Sequence, residues 1–282
     1  MPMFSRLSAC ALTVGTLLAS ASAAFAGLGQ PTPWELGLQD AGSPVMVDII
    51  RFHNLLLWII TAIALFVLVL LAIIVVRFNA RSNPTPSRTT HNTLIEVMWT
   101  IVPVFILVVI AIPSFRLLFL ELDEPTPDLT VKATGKQWYW SYSYPDNGNF
   151  EFDSLLVGDK DLKPDQPRLL TVDNEMVVPV NKVVHVLVTG ADVIHSFAVP
   201  SFGIKIDAVP GRINETWFKA TQEGLYHGQC SELCGKDHAF MPISVRVVKD
   251  SDFTAWIEEA KKKYAGDTGN PSRFAVAGLP QR

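Results

Sequence analysis

The chain has 282 residues, 49% of them hydrophobic and 18% charged, with a mean hydropathy of +0.28. So few charges beside so many apolar residues exclude a disordered chain and argue against a wholly soluble one. The only cysteines are Cys10, Cys230 and Cys234, too few for a disulfide framework, and the formal charge of −4 argues against nucleic acid as a partner, since phosphate binding needs a basic face.

The apolar residues lie in blocks. The first follows Arg6 and is rich in Ala, Leu and Ser; it ends in Ala24-Phe25-Ala26. This pattern reads as a signal peptide over residues 1–26, cleaved after Ala26. Residues 27–54 form an outer N-terminal segment. Leu55–Val76 is an uncharged run of 22 residues between Arg51 and Arg77, long enough to cross a bilayer. A third block, Val97–Phe115, lies between Glu96 and Arg116, and its Pro103 and Pro113 are tolerated in a membrane helix. The spans are placed at 55–76 and 96–120. The connector, 77–95, carries Arg77, Arg81 and Arg88 and no acid, so the positive-inside rule puts it in the cytoplasm and both flanks outside.

The character of the chain changes after the second span. Asp123-Glu124-Pro125-Thr126-Pro127 reads as a linker. Short β-branched and aromatic runs follow: 129–134, 137–144, 168–172, 183–189, 214–220 and 243–248. Such runs between turn residues predict an antiparallel sandwich or barrel. Ser251–Tyr264 predicts a helix capped by Ser251 or Asp252, with Phe253, Trp256, Ile257 and Tyr264 on one face. The folded domain is expected over 121–264, with a mobile tail at 265–282. Residues 117–282 hold 17 Lys and Arg against 23 Asp and Glu, a net of −6. This charge reads either as a solvated surface or as a docking face for a basic partner.

The densest chemistry lies at Cys230–Met241. Twelve residues there hold two thiols, the imidazole of His238 and the thioether of Met241, while His195 follows an apolar strand upstream. Thiolate, imidazole and thioether together favour copper. Two cysteines at i and i+4 allow two thiolates to bridge two metal ions, with His195 and His238 as terminal ligands, Met241 as a weak axial one, and a loop carbonyl serving the second ion. A Cys230–Cys234 disulfide and a four-ligand zinc site remain alternatives, though each leaves some of these residues without a role. His53, His91, His185 and His227 lack such company and read as ordinary.

These features, in this order, resemble subunit 2 of the haem–copper cytochrome c oxidases. The resemblance covers nearly the whole mature chain. Its motifs are Gln137-Trp138-Tyr139-Trp140-Ser141-Tyr142, Asp192-Val193-Ile194-His195-Ser196, Asp207-Ala208-Val209-Pro210-Gly211-Arg212 and Gly228-Gln229-Cys230-Ser231-Glu232. It implies an α+β membrane protein, a two-helix transmembrane hairpin followed by a cupredoxin-like Greek-key β-sandwich. It implies a dinuclear copper centre, CuA, held by His195, Cys230, Cys234, His238, Met241 and the Glu232 carbonyl.

The resemblance also implies roles and partners. The chain would be the electron-entry subunit of a proton-pumping oxidase, beside subunits 1 and 3. It would accept electrons from cytochrome c and pass them to haem in subunit 1, where oxygen is reduced to water. Trp138 is the implied electron-entry residue. Asp153, Asp173 and Asp192 match acidic docking positions, while Ser143 stands where some relatives carry an acid. The Glu232 carboxylate is an expected magnesium ligand at the subunit 1 interface, and Glu96 would lie at the entrance of a proton path. The implied location is a bacterial inner membrane, with both termini and the copper domain on the periplasmic side. A copper chaperone and a structural subunit of a quinol oxidase are the competing readings. The first needs less than this ligand set and the second lacks it.

Overall fold

A computed structural model describes residues 28–264; the expected signal peptide and the tail at 265–282 lie outside them. Helix α1 spans Pro44–Arg77 and is longer than the apolar run at 55–76. Its start is set by local chemistry. Ser43 accepts a hydrogen bond from the Met46 amide, and Pro44 occupies the first helical position, where a missing N–H costs nothing. At ~1.5 Å per residue the helix is ~50 Å long, well beyond a ~30 Å hydrocarbon layer, so its first turns project from the membrane. Helix α2, Thr93–Leu122, is capped by Asn92, which accepts from the Leu94 and Ile95 amides; it runs through both internal prolines. Both helices are long and apolar enough to span a membrane, and most of their large side chains are exposed, as lipid-facing or subunit-facing surfaces are.

The outer domain is a sandwich of two five-stranded sheets. The strands are β1 Leu129–Lys136, β2 Tyr139–Tyr144, β3 Phe150–Ser154, β4 Met176–Pro179, β5 Val183–Gly190, β6 His195–Val199, β7 Ile204–Ala208, β8 Asn214–Lys219, β9 Gly224–Cys230 and β10 Pro242–Val248. One sheet has the order β3-β2-β1-β5-β8, the other β4-β10-β9-β6-β7. Pairing is antiparallel except for β1 with β5 and β4 with β10. Alternation sets the faces: Leu129, Val131 and Ala133 on β1 and Val184, Val186 and Val188 on β5 are buried between the sheets. The strand expected at 168–172 does not form. Leu169 adopts a left-handed backbone (φ 65°), which a strand cannot accommodate, and only Val172 makes an isolated bridge, to Leu156.

Helix α3, Asp250–Tyr264, closes one end of the sandwich. Phe253 and Ile257 are buried, and Trp256 and Tyr264 pack on Phe150 and Phe152. The helix starts at Asp250, one residue before the earlier of the two expected caps. The segment before α1 is sewn into the opposite sheet. The His227 amide donates to the Gly29 carbonyl (2.6 Å), the Gly42 amide to Ser201 O (2.7 Å) and the Thr221 amide to Gly42 O (2.9 Å). Gly29 and Gly42 allow this approach. A Cβ at Gly29 would stand 2.3 Å from Leu225 O, and one at Gly42 would stand 2.6 Å from the Tyr226 ring.

Candidate metal centre

Three segments build the site. His195 opens β6 and Cys230 ends β9, and these strands pair through Phe197 and Cys230. The loop 231–241 then folds over the strand ends and returns into β10. It is pinned by hydrogen bonds from the Cys230 amide to Met241 O (3.2 Å) and from the Ser231 amide to Ser196 O (3.0 Å). The sheet therefore fixes both ends of the loop, and the loop's own turn supplies the remaining donors.

The donors converge. The two sulfurs lie 3.8 Å apart, well beyond the ~2.05 Å of a disulfide, and both thiols are free and buried. Cys230 Sγ lies 3.9 Å from His195 Nδ1 and 3.3 Å from the Glu232 carbonyl. Cys234 Sγ lies 3.6 Å from His238 Nδ1 and 3.5 Å from Met241 Sδ. Six donors, the two thiol sulfurs among them, exceed what one tetrahedral zinc takes. Soft donors, deep burial of His195, Cys234 and Met241, and two sulfurs free to be shared fit a pair of coppers.

The site is also protonically prepared. Burial alone would push the Cys230 thiol up, but hydrogen bonding with His195, the Glu232 carbonyl, Ser196 and His238 outweighs it and lowers the thiol to about 6. Burial and the neighbouring Cys230 charge push Cys234 up to about 12. The His195 imidazole is raised, because its contacts with Cys230 and Asp192 outweigh the effect of burial. One sulfur is thus ready to ligate and the other must surrender a proton.

Asp192 does something that acidity alone does not reveal. One carboxylate oxygen accepts from His195 Nε2 (2.8 Å) and from the Val193 amide (2.6 Å); the other accepts from the Gln137 amide (2.7 Å). Burial would raise this carboxyl, but these bonds outweigh it and hold it below its ordinary value. Asp192 therefore orients the imbidazole so that Nδ1 faces the sulfurs, as outer partners of metal-bound histidines do. Of the other expected docking acids, Asp153 accepts from Ser141 and lies 3.6 Å from Lys136, and Asp173 accepts from the Leu155 amide (2.7 Å).

Trp138 lies against the loop. Its indole Nε1 donates to the Cys234 carbonyl (3.2 Å), which also accepts from Gln137 Nε2 (2.7 Å), and Lys236 Nζ stands 5.5 Å from the ring centre. Trp140 is fully buried beneath, its ring edge-on to His195 at 6.1 Å. Two glycines keep space for these contacts: a Cβ at Gly135 would come 2.8 Å from the His195 ring, and one at Gly235 would come 3.0 Å from Trp138. Glu232 is exposed, with its carbonyl turned to Cys230. Glu96 lies in the first turn of α2, ~40 Å of helix away from the outer domain. Gln137 opened a motif without being given a role, and Gly135 and Gly235 were not singled out. Their adjacency to Trp138, or to the cysteines, is the signal that pointed to them.

Comparison with known proteins agrees with this geometry. Residues 129–248 match the family model for the cytochrome C oxidase subunit II periplasmic domain, and residues 31–117 match that for its transmembrane domain. The chain is 52% identical over 252 residues to a probable cytochrome c oxidase subunit 2 of Rickettsia bellii (strain RML369-C), covering 89% of this chain and 93% of that protein. It is 45% identical over 278 residues to cytochrome c oxidase subunit 2 of Cereibacter sphaeroides, covering 90% and 91%. A crystal structure of the periplasmic domain of subunit II of cytochrome oxidase of Bradyrhizobium japonicum shares 71% identity, covers 50% of this chain and 98% of that one, and has a TM-score of 0.47.

Proposed function

Since the chain belongs to the cytochrome c oxidase subunit II family, and so is an inner-membrane subunit of a haem–copper oxidase, we propose that it is the subunit through which electrons enter. The donor is cytochrome c, met on the periplasmic face, and the acceptor is haem in subunit 1, with subunit 3 completing the membrane core. The observation that carries this reading is the convergence of two free thiols, two imidazoles, a thioether and a carbonyl at 3.3–3.9 Å contacts. His195, Cys230, Cys234, His238, Met241 and the Glu232 carbonyl would hold the dinuclear copper centre CuA. When bound, that centre supplies a one-electron carrier whose charge is spread over two metals.

The chain's own residues do the rest. Asp192 holds His195 in one orientation, so the donor set is in place before metal arrives. Burial of the thiols and of Met241 keeps water from the soft donors. Trp138 offers an aromatic surface joined to the loop through the Cys234 carbonyl, which supports its reading as the entry residue. Asp153, Asp173 and Asp192 are read as the acidic docking positions for a basic donor, with Lys136 offsetting Asp153. We read the exposed Glu232 carboxylate as a magnesium ligand at the subunit 1 interface, and Glu96, in the first turn of α2, as a proton-path entrance on the cytoplasmic side.

Paramagnetic resonance of the full chain, loaded with copper in detergent, tests the centre. The expected spectrum is the hyperfine pattern of one electron shared equally by two copper nuclei. A single-nucleus pattern, or a silent zinc-loaded protein, refutes it. Trp138→Leu should slow electron entry at saturating cytochrome c while donor affinity holds; unchanged turnover would remove Trp138 from the path.

A further inference from the structure

A second ligand cluster lies away from the copper loop. His185 on β5 and Glu215 on β8 share the outer face of their sheet as diagonal neighbours, since His185 pairs with Trp217 and Glu215 with Leu187. Glu124, from the linker after α2, joins them. His185 Nε2 lies 3.0 Å from Glu124 Oε2 and 3.4 Å from Glu215 Oε2, and the three ligand atoms lie within 4.8 Å of one another. Despite these distances, Nε2 is sealed from solvent and has no hydrogen-bond partner of acceptable geometry. A buried ring nitrogen between two carboxylates, yet aligned with neither, calls for a group that accepts a lone pair from each.

We propose that Glu124, His185 and Glu215 bind a divalent cation of the zinc type. Three arguments support it. One imidazole and two carboxylates form a three-ligand set that zinc takes with water in the fourth position. Ligands at ~2.1 Å from one tetrahedral zinc stand ~3.4 Å from each other, close to the spacings here. Two carboxylates drawn this close leave room for a divalent cation between them, which offsets the charge of both. The cation would clamp the proline-flanked linker onto the sandwich, fixing the outer domain to the end of the second span.

Zinc chloride titrated against the intact oxidase complex, in competition with a fluorescent chelator, tests the site by difference between variants. Wild type should bind one zinc that Glu124→Gln and His185→Asn lack or bind at least ~100-fold more weakly, since loss of even an outer-shell partner costs ~10–100-fold. Glu124→His restores a ligand without restoring the negative charge, and it should recover binding. Equal zinc stoichiometry and affinity in wild type and the two loss variants would overturn the proposal. So would a Glu124→His protein that binds no better than Glu124→Gln, which would leave only an ion triad. Because the readout is a difference at these three residues, it does not depend on what occupies the cysteine loop.

Discussion

Two regions of the sandwich solve opposite problems. At the α3 end, Tyr144, Phe150, Phe152, Trp256 and Tyr264 pack in stacked and edge-on pairs with ring centres 4.8–6.4 Å apart. Tyr144 settles its hydroxyl by donating to Val177 O and accepting from the Val177 amide. At the candidate metal end, thiols, imidazoles and a thioether are gathered instead, with sulfur contacts of 3.5–3.9 Å. The aromatic end is finished by folding and stabilises the domain. The candidate metal end is held in place by its surroundings, with soft donor atoms turned toward one another. Strand β2 carries Trp140 beside His195 and Tyr144 in the aromatic cluster, so stability made at one end supports the site at the other.

The largest separation of the two regions should come from Trp256→Ala. Loss of this partly buried indole should cost about 3 kcal/mol of stability, read as a lowered denaturation midpoint, with the copper spectrum unchanged under folding conditions. A spectrum that changes with it would show that the ends are not independent. Asp192→Asn should do the reverse. Losing the carboxylate that orients His195 should weaken copper binding about tenfold, or ~1.4 kcal/mol, while the denaturation midpoint of the metal-free chain moves little. The pH dependence of copper binding sharpens the contrast further. Cys234, raised to about 12, must lose its proton to ligate, so binding strengthens as pH rises. Cu(I) affinity should increase at least ~tenfold per pH unit through neutrality, since one proton is released per site. A flat profile would place the thiol proton elsewhere.

The convergence of the candidate metal donors was largely legible in the sequence, because most of them are close in the chain. Cys230 to Met241 spans twelve residues, and only His195 had to come from another strand. The spans were legible from uncharged length. What escaped was contact at long range. Asp192 carries the signature of a surface acid, and its bond to the Gln137 amide joins residues 55 positions apart. The edge strand β4 is four residues long and too short to show a period. The expected strand at 168–172 had strand composition, but a left-handed Leu169 turned it, which composition does not encode. His185 looked ordinary because its two carboxylate neighbours come from a linker and from another strand.

The bonds at Gly29 and Gly42 have a mechanical meaning. A domain held to a membrane by one strand of chain can swing and spin about it. This domain is held on both sides of the hairpin: the linker after α2 enters β1, and the segment before α1 is bonded to β9 at His227, to the turn after β6 at Ser201 and to Thr221 after β8. Two separated anchors remove the swivel that one would leave. The outer domain therefore stands as a fixed post, and the distance from its loop to anything seated in the membrane is set by the fold.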